Sequence, residues 1–161
     1  MARIKAVALD VDGMLTDGGF WWGSNGEEWK RFSFADVMGV SLAHKAGLIV
    51  ALITGEDSPQ VDRFANKMGI RDVFKCCKDK AGALRMLAER HQLSLAEICF
   101  MGDDVNDLAA FEVVGLAAAP ASAQPVVLKG ADFVARQGGG NGAVRELVNA
   151  LLAGQLEARR A

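Results

Sequence analysis

Short apolar runs punctuate the chain at residues 4–9, 48–53, 72–74, 98–101, 115–118 and 133–134. Between them, apolar positions recur at helical spacing over residues 36–45, 59–68, 80–91, 106–113 and 142–152. Strand-length runs alternating with helical patterns predict an α/β fold: a Rossmann-like, three-layer parallel sheet with helices on both faces. Local signals mark two boundaries. Asp57-Ser58-Pro59 suits a helix start with proline in its first turn, and Ser94 ahead of Glu97 reads as a short capping box.

Residues 18–34 break the alternation. Glycines and aromatic residues crowd around Ser24-Asn25-Gly26, a pattern that predicts a β-hairpin inserted after the first strand. Two fates are open to Trp21, Trp22 and Trp29: packing on the chain's own core, or facing a partner. A short hairpin has little core of its own, and the second fate would make residues 18–34 an oligomerisation element. A glycine-rich loop at residues 138–142 precedes the last helical pattern.

Bulk properties narrow the class. A chain of 161 residues suits a single domain spanning residues 1–161. The net charge of −2, with no run of like charge longer than a pair such as Arg159-Arg160, argues against nucleic acid as a partner. No apolar stretch approaches the roughly 20 residues that a membrane span needs. The N-terminal residues run straight into the first strand without a leader pattern, so a cytoplasmic location is expected. Cys76, Cys77 and Cys99 lack metal-ligand spacing and are expected to be buried or half-buried free thiols.

The candidate chemistry sits where the expected strands end or helices begin, and strand carboxyl ends are where open α/β sheets bind ligands. Asp10 and Asp12 follow the first strand on one side of the chain, and Gly13 permits a sharp turn. Thr54-Gly55 ends the second run, Lys80 opens a helix, and Asp103 to Asp107 follow the fourth run. Asp10 and Asp103 are hard oxygen ligands suited to Mg²⁺, which would offset their mutual repulsion. A carboxylate attacking phosphorus forms an acyl phosphate, and Thr54, Lys80 and backbone N–H groups would stabilise the phosphoryl group in flight. Asp107, one helical turn from Asp103, is placed to hold Lys80. Each piece alone is an ordinary turn, strand end, solvated lysine or cap; their order along one chain is what argues for a site.

The segments Asp10-Val11-Asp12-Gly13, Ile53-Thr54-Gly55, Lys80 and Gly102-Asp103-Asp104-Val105-Asn106-Asp107 resemble the four motifs of the haloacid dehalogenase superfamily. The hairpin and Gly139-x-x-Gly142-Ala143-Val144-Arg145-Glu146 are similar to its capless sugar-acid phosphatases. The resemblance implies a phosphatase without a cap domain, acting on a small phosphomonoester with Mg²⁺. It makes Asp10 the nucleophile and Asp12 the general acid, then base. Asp10, the Asp12 carbonyl and Asp103 become the metal ligands, Thr54, Gly55 and Lys80 the phosphate binders, and Asp107 a support. It also implies a homotetramer in which a neighbour's hairpin roofs the site.

Glu56, where octulosonate phosphatases carry arginine, and Lys67 resemble the branch acting on a 2-keto-3-deoxynononate 9-phosphate. The segments Asn25-Gly26-Glu27-Glu28-Trp29-Lys30 and Pro120-Ala121-Ser122-Ala123 point the same way. The alternative substrates are 3-deoxy-D-manno-octulosonate 8-phosphate or another small sugar phosphate. Phe64 stands where a carboxylate-binding arginine is common, which makes neighbouring Arg63, with Glu56 and Lys67, a candidate substrate residue; Phe34 and Val37 depart from the family pattern too. Competing readings are an inactive scaffold and a receiver-type signalling domain; receivers carry their acid pair and acceptor aspartate in a different order.

Overall fold

Consecutive residues of β1 (Ala6–Leu9) enter two different cores. Val7 and Leu9 join one and Ala6 and Ala8 the other, the period-two division of a strand buried on both faces. The same division runs through β4 (Ile49–Ile53), β6 (Ile98–Met101) and β7 (Leu116–Ala119). With β5 (Asp72–Phe74) and β8 (Phe133–Val134), they form a parallel sheet in the order β5-β4-β1-β6-β7-β8. The first core is closed by α1 (Phe34–Lys45), α2 (Pro59–Met68) and α6 (Ala143–Leu152). The second is closed by α3 (Lys80–His91), α4 (Leu108–Phe111) and α5 (Pro125–Gly130). This is the three-layer α/β arrangement that the apolar pattern predicts. This computed structural model describes residues 3–156, Ala158 and Arg159; Met1, Ala2 and Arg160 of the sequence patterns above lie outside the described residues.

Because β4 and β6 flank β1, the sheet opens a crevice at the carboxyl end of β1, where strand order reverses. Two helices steady that end. α6 is preceded by Gly142, which has no capping side chain. Its first-turn N–H groups are met instead by Asp36 of α1, which accepts from Gly142 and Arg145 at 3.1 Å each. Burial pushes the Asp36 carboxyl above its ordinary range. Helix starts read from sequence are present: Ser58 precedes Pro59 at the head of α2, and the Ser94 N–H donates to the Glu97 carboxylate at 2.9 Å.

Two elements differ from expectation. The helix expected over residues 106–113 is a 3₁₀ turn, Val105–Asp107, followed by the four-residue α4. Asp104 caps that turn, accepting the Val105 N–H at 2.7 Å. α5 was not expected, since its six residues follow an alanine-rich run and are too few to display a helical period.

The hairpin forms from β2 (Trp21–Trp22) and β3 (Glu28–Trp29), antiparallel, with Trp21 opposite Trp29. Its turn closes through Gly26 N–H to the Gly23 carbonyl at 3.1 Å, with Gly26 at φ +82°. The tryptophans do not pack on the chain's own core: Trp21, Trp22 and Trp29 are 58%, 74% and 59% exposed. The three cysteines are free; Cys99 is buried and Cys77 half-buried, but Cys76 is exposed, contrary to expectation. Among the described residues no helix is long and apolar enough to cross a membrane.

Candidate active site

Asp10 extends the β1 ladder by one bond, its N–H donating to the Met101 carbonyl at 3.0 Å. Its carboxylate faces the crevice, with Oδ1 accepting the Val11 N–H at 2.7 Å and Oδ2 meeting Lys80 Nζ at 2.7 Å. Lys80 is the first residue of α3 and is buried; its ammonium also meets Asp107 Oδ1 at 2.5 Å. The other Asp107 oxygen accepts the N–H groups of Asp103 and Asp104 at 2.9 and 3.2 Å. The expected partnership of Asp107 with Lys80 is therefore in place.

Asp103 lies against the turn at Gly13. A Cβ at Gly13 would fall 2.0 Å from Asp103 Oδ2, and the backbone there has φ +83°, so glycine is required by space and by conformation. Gly139 approaches the same turn from the late glycine-rich loop, where a Cβ would lie 1.7 Å from the Gly13 carbonyl oxygen. That loop is bound by the Gly140 N–H, which donates to the Met14 carbonyl at 2.8 Å.

One carboxylate oxygen each from Asp10, Asp103 and Asp107 lies within 4.8 Å of the others. Burial raises the Asp10 carboxyl to about 6, with Lys80 pulling against the rise. Burial and the charges of Asp10, Asp107 and Asp104 raise Asp103 to about 7. Carboxylates that hinder each other's ionisation fit a bound cation, and all-oxygen donors suit a hard ion such as Mg²⁺. Asp107 is enclosed by Lys80 and backbone N–H groups, so of these three Asp10 and Asp103 reach the cavity.

That cavity, about 270 Å³, is also lined by Asp12, Thr54, Gly55 and Glu56. Thr54 is buried, and its hydroxyl accepts the Glu56 N–H at 3.2 Å. Asp12 stands apart from the three clustered carboxylates: both its oxygens meet Lys30 Nζ, at 2.9 and 3.0 Å. Lys30 was not singled out from sequence, because a lysine ending a hairpin strand is indistinguishable there from a solvated one. The candidate substrate residues are divided. Glu56 lines the carboxylate cavity, whereas Arg63 and Lys67 line a neighbouring cavity of about 350 Å³ with Phe34, Val37 and Phe64. Phe64 is buried and stacks on Phe32 with ring centroids 4.8 Å apart.

Residues 63–147 match a family model described as haloacid dehalogenase-like hydrolase. A 3-deoxy-D-manno-octulosonate 8-phosphate phosphatase of Escherichia coli is 38% identical over 153 residues, covering 95% of this chain and 81% of that protein. The chain belongs to the haloacid dehalogenase superfamily. Its subclass is that of the capless sugar-acid phosphatases. A similar superfamily structure is the 3-deoxy-D-manno-octulosonate 8-phosphate phosphatase of Moraxella catarrhalis, in complex with magnesium ion, phosphate ion and a KDO molecule. It has TM-score 0.90 and 35% identity, over 93% of this chain and 86% of that one. A hypothetical protein from Xanthomonas campestris has TM-score 0.92 and 39% identity, over 96% and 84%. Among haloacid dehalogenase relatives these comparisons favour the eight-carbon alternative and do not separate out a nine-carbon branch.

Proposed function

We propose that this haloacid dehalogenase phosphatase is a cytoplasmic, Mg²⁺-dependent phosphomonoesterase of one domain, hydrolysing a 2-keto-3-deoxy sugar acid phosphate. The eight-carbon 3-deoxy-D-manno-octulosonate 8-phosphate has the support of the relatives; Glu56 in the carboxylate cavity favours the nine-carbon acid as a second reading. The observation that carries the proposal is the convergence of Asp10, Asp12, Thr54 and Asp103 on one cavity, with Lys80 bonded to Asp10.

In the first step an Asp10 oxygen bonds to phosphorus while the ester P–O bond breaks, and Asp12 delivers its proton to the departing sugar oxygen. In the second, Asp12 takes a proton from water as that water bonds to phosphorus. The acyl P–O bond breaks, leaving phosphate and the Asp10 carboxylate. Lys80 favours the ionised, nucleophilic form of Asp10 against the effect of burial. Lys80, Thr54 and the Gly55 N–H supply donors to phosphoryl oxygens. Asp10, the Asp12 carbonyl and Asp103 would hold Mg²⁺, which when bound would supply positive charge to offset the negative charge of the phosphoryl oxygens.

A screen of phosphorylated sugars and 2-keto sugar acids, ranked by kcat/KM, tests the substrate class. A sugar acid phosphate is expected to rank first, and a neutral sugar phosphate in that place would overturn the assignment. Exhaustive chelation is expected to abolish turnover, with recovery on adding Mg²⁺; activity that persists in chelator contradicts the metal assignment.

The exposed tryptophans support a homotetramer built on the hairpin at residues 18–34. Trp22→Asp is expected to reduce the sedimenting mass and the specific activity together. A wild-type chain that sediments as a compact monomer at micromolar concentration would contradict the assembly.

A further inference from the structure

We infer that Lys30 is the positioning residue for Asp12, fixing the acid–base carboxylate from the hairpin; this rests on the acid–base role of Asp12 proposed above. Lysine ammonium groups ordinarily reach for solvent. Lys30 does the reverse. It directly follows β3, whose Trp29 is largely exposed, yet only 4% of its side chain is accessible. Its Nζ lies 2.9 and 3.0 Å from the two Asp12 oxygens and 3.5 Å from Glu28 Oε1. Desolvation works against the charge, and Asp12 and Glu28 more than restore it.

The backbone on either side of Lys30 is tied to α2. Gln60 donates its amide N–H to the Glu28 carbonyl, and Phe32 stacks on Phe64 at 18° between ring planes. The segment that carries Lys30 is thus tied down at points that do not involve Asp12. Asp12 has no comparable anchor. Its side chain is 31% exposed in a cavity open to solvent, and among the described residues Lys30 is its one side-chain partner. A carboxylate two positions from Asp10 and free to rotate would be drawn to any cation held by Asp10 and Asp103. In the resting site the Lys30 contact to both oxygens keeps it out of that cluster; in the reaction one oxygen exchanges that contact for the proton it delivers to the leaving oxygen, while the other stays on Lys30.

The test is the dependence of kcat/KM on the leaving group, because kcat/KM reports steps through departure of the alcohol and not the later hydrolysis. The probes are p-nitrophenyl phosphate, whose leaving group departs as a stable anion without a proton, and the sugar phosphate ranked first in the screen, whose alkoxide needs one. Lys30→Met is expected to lower kcat/KM for the sugar phosphate by about 10²-fold, and for p-nitrophenyl phosphate by less than about tenfold. Lys30→Gln is expected to show the same selectivity, and Lys30→Arg to recover part of the sugar phosphate activity. Added to Asp12→Asn, Lys30→Met is expected to cause no further selective loss, as for two residues acting through one group.

Equal losses on both esters from Lys30→Met and Lys30→Gln, or full additivity with Asp12→Asn, would overturn the role of Lys30. The Asp12→Asn single variant separates the two levels. If it is itself unselective between the esters, the acid–base reading of Asp12 fails and Lys30 falls with it. If it is selective and the Lys30 variants are not, only the positioning role is lost.

Discussion

Asp10→Asn is expected to lower kcat on the order of 10⁴-fold or more, the scale of removing a nucleophile from a catalytic unit. An amide oxygen carries no negative charge to direct at phosphorus, and its resonance with nitrogen leaves it a poor nucleophile. The fold is expected to survive. Lys80 keeps its 2.5 Å contact to Asp107, and the β1 ladder at position 10 is made by backbone atoms that the substitution leaves unchanged. Steady-state kinetics with thermal unfolding on the same preparation checks both halves. Near-normal turnover would exclude the aspartyl-phosphate route.

Lys80→Met is expected to abolish turnover and also to destabilise the chain, by about 3–5 kcal/mol, as when one partner of a buried ion pair is removed. The Lys80 side chain is 2% exposed and that of Asp107 is fully covered, so Asp107 is left without its counter-charge and away from water. The sign of the pH dependence follows from the raised carboxyls. Asp10 at about 6 and Asp103 at about 7 bind protons more tightly folded than unfolded. Their contribution to stability is present at low pH and is lost as pH rises from the ordinary aspartate range through those values. Without Lys80 the carboxyls rise further, so the deficit of the variant is expected to be larger near about pH 8 than near about pH 5. Urea unfolding at both pH values, with and without Mg²⁺, measures this. An unchanged midpoint would mean that Lys80 is not the counter-charge of the site, and partial recovery by Mg²⁺ is expected because a cation relieves the same repulsion.

Asp10, Thr54, Lys80 and Asp103 were legible in the sequence because each stands at the end of an apolar run or the head of a helical pattern. There a parallel sheet brings side chains together whatever their separation along the chain. Asp107 was legible by helical spacing from Asp103, although the segment is a 3₁₀ turn. The pairing of Lys30 with Asp12 was not legible, since it depends on how the hairpin folds back over the crevice, and no periodicity records that. The division of Glu56 from Arg63 and Lys67 was hidden for a related reason. Glu56 belongs to the loop after β4, while Arg63 and Lys67 lie on α2 facing the next cavity. The hairpin could be read from its turn residues, and the outward orientation of its tryptophans from a segment too short to bury them.

The contact of Gly139 with the Gly13 turn sets an order in time. During synthesis Asp10 is made before either strand that flanks β1, at residues 49–53 and 98–101. The turn that seats Asp103 is closed only when the loop at residues 138–142 arrives. Such non-local pairings form slowly, after long loops have closed. The growing chain therefore carries its nucleophile without a site to use it until that loop is made, and hydrolytic competence arrives all at once with it.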